Sequence, residues 1–402
     1  MNILRKIYCR TYQKIFKLAI PILPYTSPEI TETPEDAAEL IQKKGLTRLL
    51  IVTDKFIHES GLINPLKAAL EKRNIAYVVF DETMPNPTIS TVEAARDMYI
   101  KSSCRGLIGF GGGSSIDCAK AVGARIAKPK KTIQKMRGIL SIHKKTPFVL
   151  AVPTTAGTGS EVTVTTVVTN SETGEKFPIS DFPLIPDAVL HDPKNTVSLP
   201  KHLTATTGMD ALTHAVEAYI GGSAVKSTKA DAIRATRLIF ENIKDAYNNG
   251  ENLVARKNML EAAFLAGRAF SKSYVGYCHA VAHSLGGKYN IPHGLANSVI
   301  LPYTLEAYGD SVYNKLYSLT VAVGVCDAST DKETAAKAFI EKIKEMNREM
   351  NIPEKLSGIK EEDIPILAEI ADKEANPLYP VPKLMDKYEL RQFYYSVMEE
   401  TV

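Results

Sequence analysis

Four of the chain's eight histidines lie in two short segments of its second half. GMDALTHAVEAY places Asp210 four residues before His214, and CHAVAHSLGGKYNIPHG contains His279, His283 and His293. Residues four apart on a helix share a face. One carboxylate and several imidazoles at that spacing supply the oxygen and nitrogen ligands of a divalent transition metal. The two segments therefore predict a metal site that sets the chemistry.

Each part of this pattern also has an ordinary explanation. An Asp and a His four residues apart are commonly a surface pair, His279 and His283 can be core or surface residues, and His293 lies in a turn marked by Pro and Gly. Both helical pairs stand among apolar residues, however, which indicates burial. Because a buried imidazole or carboxylate needs a partner, one shared metal satisfies several of them together.

A glycine-rich junction is the second chemical signal. Gly111, Gly112, Gly113 and Ser114 follow a predicted strand and open a predicted helix. Glycine lets the backbone approach a phosphate closely, and the free N–H groups of a helix start attract negative charge. The segment differs from the G-x-G-x-x-G fingerprint, and a tight turn without a ligand is the alternative. Its place at the carboxyl end of a predicted parallel strand favours a ligand.

Two further features fit a dinucleotide. PTTAGTGSEVT offers the hydroxyls of Thr154, Thr155, Thr158 and Thr163, although such a composition is also typical of a plain surface loop. Asp54 ends the first clear predicted strand, where a carboxylate accepts hydrogen bonds from a ribose diol and repels a 2′-phosphate. The alternative for Asp54 is an ordinary turn cap.

The composition sets the broad class of protein. A chain of 402 residues predicts two domains, and 45% apolar with 23% charged residues is usual for a globular protein. The net charge of +4 gives no support to nucleic-acid binding. Five scattered cysteines without a Cys-x-x-Cys motif fit a reducing cytoplasm, which is the predicted location.

The first 30 residues form a separate, basic segment. NILRKIYCRTYQKIFKLAIPILP has apolar residues at helical spacing and no long apolar core of a signal peptide. The first interpretation is a helix that docks on another subunit of a homo-oligomer. The second is a helix on an anionic membrane surface, and the third is a helix packed on its own domain.

From residue 31 to 200 the pattern alternates between helix and strand. Buried strands are predicted at 48–54, 76–81, 105–110 and 146–153, with one or two further short strands in the proline-marked stretch before residue 200. Strands separated by helices predict a parallel, Rossmann-like sheet. Residues 201–402 are predicted to be an all-helical domain that carries the metal site.

The motifs GGGSSIDCAK, PTTAGTGSEVT, GMDALTHAVEAY and CHAVAHSLGGKYNIPHG, in that order, resemble those of the iron-containing (group III) alcohol dehydrogenases. The resemblance runs from about residue 45 to the C-terminus. It implies metal-ligand roles for Asp210, His214, His279 and His293. It leaves His283 as a non-ligand near the nicotinamide and substrate.

The resemblance also implies a cofactor site and a substrate contact. It places Phe270 near the substrate, although a core aromatic is an equal alternative. Around NAD it places Asp54, Asn86, Gly112, Gly113, Ser114, Asp117, Thr154, Thr155, Thr158, Thr163 and Lys176. Asp54 at its position resembles the NAD-preferring members of the family.

The chain departs from the family pattern in two places. The family's usual first strand is not recognisable in residues 1–34, which puts the usual dimer contact in doubt. Leu378 follows Asn376-Pro377 where the family commonly has an arginine. If that loop borders the substrate, the missing cation argues against an anionic substrate.

The predicted function is hydride transfer between NAD(H) and a small primary alcohol or short diol and its aldehyde. Three imidazoles and one carboxylate suit Fe²⁺, Zn²⁺ or Mn²⁺, and the absence of cysteine removes the usual zinc–thiolate pattern. Four protein ligands with a substrate oxygen imply at least five-coordination, which favours Fe²⁺, with Zn²⁺ as the alternative. One alternative function is a lyase or cyclase similar to dehydroquinate synthase, which also uses NAD and a metal. Another is an inactive scaffold of the same fold.

Overall fold

The structure is a computed structural model that describes residues 1–399. The chain divides into two compact units. One unit is Pro24–Leu199, and the other combines Met1–Leu23 with the residues that follow Leu199. The N-terminal segment therefore belongs to the same unit as the second half of the chain.

Strands and helices are mixed before residue 200, and helices predominate after it. The strands are β1 (Glu29–Thr31), β2 (Arg48–Val52), β3 (Ala76–Phe80), β4 (Gly106–Gly111), β5 (Gly138–Ile139), β6 (Phe148–Pro153), β7 (Thr165–Thr169), β8 (Lys176–Ser180) and β9 (Ala188–Leu190). The helices are α1 (Ile3–Ala19), α2 (Pro34–Lys43), α3 (Lys55–Glu59), α4 (Asn64–Lys72), α5 (Ile89–Lys101), α6 (Gly113–Ala127), α7 (Ile133–Met136), α8 (Lys201–Ile220), α9 (Lys226–Asn248), α10 (Leu253–Ser273), α11 (Tyr277–Tyr289), α12 (His293–Tyr308), α13 (Asp310–Ala322), α14 (Lys332–Glu349), α15 (Ile364–Ala375) and α16 (Lys387–Val397). Short 3-10 helices cover Ile20–Ile22, Phe182–Leu184, Pro193–Thr196 and Glu361–Asp363.

The unit Pro24–Leu199 is built on a six-stranded parallel sheet in the order β1-β9-β6-β4-β2-β3. The predicted parallel sheet is confirmed, with β2, β3, β4 and β6 inside or within one residue of the predicted ranges. All six residues of β4 are buried, as expected of a strand covered on both faces. The chain runs from β2 to the edge strand β3 and returns to β4 on the other side of β2. This reversal puts the carboxyl ends of β2 and β4 side by side, where open α/β sheets bind ligands.

The missing first strand is a correction to the sequence analysis. β1 is present at Glu29–Thr31 and pairs in parallel with β9 along the edge of the sheet. Sequence reasoning missed it because it has three residues, of which Glu29 and Ile30 are exposed, and so shows no apolar run. The stretch before residue 200 also holds three strands, β7, β8 and β9, rather than one or two. β7 and β8 belong with β5 to a small second sheet.

The other unit is helical in its described residues, as predicted for the second half of the chain. α8 is its central helix, since fifteen of its 20 residues are buried. It packs against α9, α10 and α12. A helix with so little exposed surface shows almost no amphipathic periodicity, because every face is apolar or carries a functional side chain.

α1 packs on its own unit, which agrees with the third interpretation of the N-terminal segment. The Arg5 guanidinium makes a bidentate pair with Asp372 on α15, at 2.8 Å for both contacts. Arg10 donates to the carbonyls of Val381 and Pro382 at 2.7 and 2.8 Å. Among the described residues, no helix is long and apolar enough to cross a membrane.

Gln13 is the buried polar contact of α1, and its removal tests this packing. Its amide donates to the Tyr379 carbonyl at 2.7 Å and accepts from Arg10 at 2.9 Å. We expect Gln13→Ala to destabilise the protein by about 1–3 kcal/mol, because buried polar groups lose their partners. The measurement is the melting temperature, with the exposed Lys14→Ala as the matched control. Equal melting temperatures for the two variants would contradict the contact.

Candidate functional site

The candidate metal site lies entirely in the helical unit. Asp210 and His214 come from α8, His279 from α11 and His293 from the first turn of α12. One potential ligand atom from each of the four lies within 4.8 Å of the others. Three helices thus bring together side chains that are up to 83 residues apart along the chain. The structure brings together the four residues that the resemblance implied as ligands.

A glycine at the start of α12 allows this approach. A Cβ on Gly294 would lie 2.6 Å from the Thr206 carbonyl oxygen of α8, which no side chain tolerates. With glycine there, the first turn of α12 lies directly against α8. The His293 ring, one residue earlier, then comes to 3.5 Å from Asp210 (Nε2 to Oδ1). Packing of two backbones therefore sets the ligand distance.

The site has the chemistry of a metal centre. His279 Nε2 is buried without a hydrogen-bond partner among the described residues, and lies 3.9 Å from Asp210 Oδ1. Such an atom is costly unless a ligand occupies it. Burial and the neighbouring His214, His293 and His283 rings hold the pKa of His279 well below its usual value. The ring is therefore neutral, which is the form that binds a metal.

Glu217 orients His279 and was missed by the sequence analysis. Its Oε2 lies 2.6 Å from His279 Nδ1, and the backbone N–H groups of Gly276 and Cys278 donate to the same carboxylate. The Nδ1 proton then points at Glu217 and leaves Nε2 for the metal. Burial raises the pKa of Glu217 to about 7. The available sequence signal was its spacing, since Glu217 lies three residues after His214 on the same face of α8.

Asn297 is a second residue that the sequence analysis missed. Its Nδ2 donates to Asp210 Oδ1 at 2.7 Å and lies 3.0 Å from His293 Nε2. It is fully buried on α12, one turn after His293. Its amide thus fixes the position of the Asp210 carboxylate relative to the His293 imidazole. The spacing of four residues in HGLAN was the signal that could have identified it.

His283 stands beside the cluster, outside the group of four. Its ring stacks on His293 with centroids 5.1 Å apart, and the side chain is 42% exposed. Its Nδ1 lies 2.6 Å from Glu374 on α15, which also accepts from the Tyr379 hydroxyl at 2.7 Å. Burial opposes protonation of the ring, but Glu374 outweighs it, so the pKa of His283 is raised. Sequence reasoning did not find Glu374 because it lies 91 residues from His283.

Phe270 covers one side of the cluster. The ring lies at the end of α10 and stacks on His214, with centroids 4.2 Å apart and planes at 17°. The side chain is only half-buried. Contact with a candidate ligand and partial exposure favour the substrate interpretation over that of a core aromatic.

The two predicted cofactor loops lie against each other in the unit Pro24–Leu199. Gly111 has φ of 150°, and its carbonyl accepts from the Thr154 N–H at 3.0 Å. A Cβ on Gly113 would lie 2.9 Å from the Thr158 side chain. Glycines are thus needed for the junction before α6 to fit beside the loop that follows β6. Both loops stand at the carboxyl ends of neighbouring strands, β4 and β6.

Lys120 on α6 binds the backbone of the threonine-rich loop that follows β6. Its buried ammonium donates to the carbonyls of Ser160, Thr163 and Thr165 and to the Thr163 hydroxyl, at 2.5–3.0 Å. Burial lowers its pKa to about 8, although nearby Asp117 opposes this. Asp117 accepts from the Ser160 hydroxyl and, at 2.9 Å, from the Val167 N–H. The side chains of Asp117 and Thr163 therefore contact this loop scaffold, and a direct cofactor contact for either stays a prediction.

The remaining predicted cofactor residues lie apart from these loops: Asp54 and Asn86 follow strands of the six-stranded sheet, whereas Lys176 belongs to the small second sheet. Asp54 caps α3 by accepting from the Ile57 N–H at 2.9 Å, which is the alternative role considered for it. This contact uses one of its two carboxylate oxygens. The Asn86 N–H donates to the Ser114 hydroxyl at 3.1 Å, which brings these two residues together. Lys176 begins β8, and burial lowers its pKa.

Comparison with known proteins decides the family. The family described as iron-containing alcohol dehydrogenase matches residues 31–193, and the C-terminal part of the Fe-containing alcohol dehydrogenase family matches residues 204–398. The chain belongs to the iron-containing alcohol dehydrogenase family. It is therefore an oxidoreductase of the alcohol dehydrogenase type, as predicted.

The relatives of this iron-containing alcohol dehydrogenase include enzymes of small alcohols and diols. The 1,3-propanediol dehydrogenase of Citrobacter freundii is 37% identical, over 90% of this chain and 94% of its own. The NAD-dependent methanol dehydrogenase of Bacillus methanolicus is 35% identical, over 82% and 87%. A crystal structure of 1,3-propanediol oxidoreductase has a TM-score of 0.88 at 35% identity, covering 93% of this chain and 99% of its own. These relatives do not favour the dehydroquinate-synthase-like alternative.

Glu217 provides a test of the site that does not depend on turnover. We expect Glu217→Gln to lower the affinity for a divalent metal by about 10- to 100-fold, because the Nδ1 proton of His279 loses its charged acceptor. Chelator competition measures this affinity directly, and thermal unfolding of the metal-free protein checks that the variant is folded. Glu241→Gln, an exposed change on α9, is the control. Unchanged metal affinity in a folded Glu217 variant would refute the orienting role.

Proposed function

We propose that this iron-containing alcohol dehydrogenase interconverts a small primary alcohol or short diol with its aldehyde, using NAD and one divalent metal. The observation that carries the proposal is the meeting of Asp210, His214, His279 and His293 within 4.8 Å. An inactive scaffold offers nothing to compensate the burial of His279 Nε2, which has no hydrogen-bond partner within the described part of the chain.

The four clustered side chains would hold the metal. Three imidazole nitrogens and one carboxylate oxygen, without a thiolate, support Fe²⁺, with Zn²⁺ as the competing ion. When bound, the ion supplies Lewis-acid polarisation of the substrate oxygen, and the nicotinamide supplies the acceptor or donor of the hydride. Glu217 and Asn297 keep the donor atoms pointing inward, so little rearrangement is needed on binding.

The loops of the other unit would bind the dinucleotide. The N-terminus of α6, with Gly112, Gly113 and Ser114, offers backbone N–H groups to a pyrophosphate. Thr154, Thr155 and Thr158 add hydroxyls from the neighbouring loop. Asp54 at the end of β2 would accept from the adenosine ribose, and it disfavours a 2′-phosphate. The NAD dependence of the Bacillus relative agrees with this preference.

His283 would move the proton of the reaction. Its ring stacks on His293, and Nδ1 is held by Glu374, so Nε2 is the atom that accepts or donates the proton. The side chain is exposed enough to exchange that proton with solvent. Alcohol oxidation releases a proton, so the neutral ring is the active form in that direction.

The substrate range follows from the surroundings of the cluster. Phe270 stacks on His214 and gives the site an apolar wall. This wall favours a neutral, short-chain substrate over an anionic one. The relatives' own substrates, 1,3-propanediol and methanol, agree with this size. A homo-oligomeric state and a cytoplasmic location stay predictions.

Reconstitution tests the function as a whole. After anaerobic loading with Fe²⁺, we expect NADH formation with ethanol, butanol and 1,3-propanediol. His279→Ala should lose bound metal and turnover together, because Nε2 is a ligand, whereas His202→Ala on the exposed start of α8 should keep both. A metal-loaded and active His279→Ala variant, or no turnover of any alcohol by the loaded wild type, would overturn the proposal.

Replacing His283 separates proton transfer from metal binding. His283→Ala should retain the metal but lower kcat by about 100-fold or more. In the wild type, the raised pKa of His283 means that alcohol oxidation increases as pH rises through that pKa, while aldehyde reduction decreases. The variant should lose this inflection in its pH–rate profiles. Metal loss in the variant would instead make His283 a ligand.

Replacing Asp54 tests the choice of cofactor. Asp54→Gly should improve kcat/KM for NADP by about 10-fold or more, because a carboxylate no longer faces the 2′-phosphate. Glycine is tolerated at a helix N-cap, so loss of the α3 cap costs only a few tenths of a kcal/mol, on the order of experimental error. If NADP kinetics do not improve, another residue sets the preference.

A further inference from the structure

The outward face of α1 is a stripe of large apolar side chains. Leu4, Ile7, Tyr8, Ile15 and Leu18 are 57–76% exposed. At about 100° per residue of an α-helix, these five positions fall within an arc of about 100°. This spacing places them on one side of the helix. Isolated exposed apolar residues are ordinary, but a continuous stripe of this kind marks an interaction surface.

The inward face of the same helix is fixed. Arg5 pairs with Asp372, Gln13 donates to the Tyr379 carbonyl, and Cys9 is buried. α1 therefore cannot turn its apolar stripe inward without breaking buried polar contacts. The apolar stripe is therefore a fixed part of the surface of this unit. It also lies outside the two ranges matched to the family, 31–193 and 204–398, so it is an addition to the shared fold.

The charge of α1 indicates what covers the stripe. The helix carries five Lys and Arg residues and no Asp or Glu. Arg5 and Arg10 are engaged with the body of the unit, whereas Lys6, Lys14 and Lys17 are exposed. At about 100° per residue, Lys14 falls directly beside Ile7 at one edge of the apolar stripe, and Lys17 lies about 60° further round on the same flank.

A second copy of α1 fits this charge poorly. Two such helices, in either direction, would meet with three exposed lysines each and no acidic side chain on either helix. Like charges at close range oppose association. An anionic surface removes this conflict, since the lysines reach the charged groups while the apolar side chains enter a hydrocarbon layer.

We propose that the outward face of α1 docks this enzyme on an anionic lipid bilayer. The helix lies flat in the interface, with Leu4, Ile7, Tyr8, Ile15 and Leu18 among the upper acyl chains. Lys14 and Lys17 lie at the level of the lipid phosphates. The helical unit remains above the membrane, held by the inward contacts of Arg5 and Gln13. This surface is separate from the proposed chemistry and does not depend on it.

Vesicle flotation of the full-length protein tests the proposal. Wild-type protein should float with vesicles of phosphatidylcholine and phosphatidylserine, and much less with phosphatidylcholine alone. High salt should weaken the binding, since the lysine contribution is screened. The double variant Ile15→Asp with Leu18→Asp should bind at least about 10-fold more weakly. Lys14→Gln with Lys17→Gln should lose about five-fold per lysine on anionic vesicles only.

The control uses the same change at exposed apolar residues elsewhere. Leu253 and Val254 at the start of α10 are 41% and 70% exposed, and their double Asp variant should bind like wild type. Melting temperatures and NADH-forming turnover in the absence of vesicles should be the same for all variants. Equal flotation on neutral and anionic vesicles, or equal losses in both Asp variants, would overturn the proposal. A third result would also overturn it: wild-type protein that does not float, together with an Ile15/Leu18 variant that has half the wild-type mass by light scattering. The stripe would then be a contact between subunits.

Discussion

The burial of one neutral imidazole, that of His279, is the constraint on which the arrangement of the helical unit depends. His279 is buried with Nδ1 against Glu217, while Nε2 is directed towards Asp210 and has no hydrogen-bond partner in residues 1–399. An arrangement of this kind is unfavourable by itself, because a buried nitrogen lacks the water it had in the unfolded chain. A cation that binds this nitrogen together with three other ligand atoms would compensate the cost of burying it. The helices α8, α11 and α12 thus carry a polar centre inside an apolar core.

The unit Pro24–Leu199 meets a different physical requirement. Phosphate-binding loops need exposed N–H groups and hydroxyls, yet they must keep one shape. The buried ammonium of Lys120 fixes the conformation of the loop, because it donates hydrogen bonds to the carbonyls of Ser160, Thr163 and Thr165. Asp117 compensates part of the cost of burying this charge. The side chains that face away from this scaffold remain available to a ligand.

α1 combines both kinds of contact on one short helix. Its inward face is polar where a core helix is usually apolar, and its outward face is apolar where a surface helix is usually polar. The inward hydrogen bonds of Arg5, Arg10 and Gln13 fix the orientation of the helix. Because the helix is held in this orientation, its exposed apolar residues form one surface for a partner of opposite charge. The sequence pattern showed an amphipathic helix, but which face was buried depended on the body it packs against.

The sequence by itself determined the types of the donor groups and their local spacing. Asp210 with His214 was readable because the 3.6-residue period of a helix is a local property of a chain. The strands β2, β3, β4 and β6 were readable because a short apolar run bounded by polar or turn residues is local as well. Only the tertiary structure decided which groups meet. Glu217 reaches residues 59 to 62 positions away, Glu374 reaches His283 across 91, and the short edge strand β1 exists only because β9 lies beside it. Such pairings depend on the close packing of separate elements, and local spacing does not show which residues of different elements will meet.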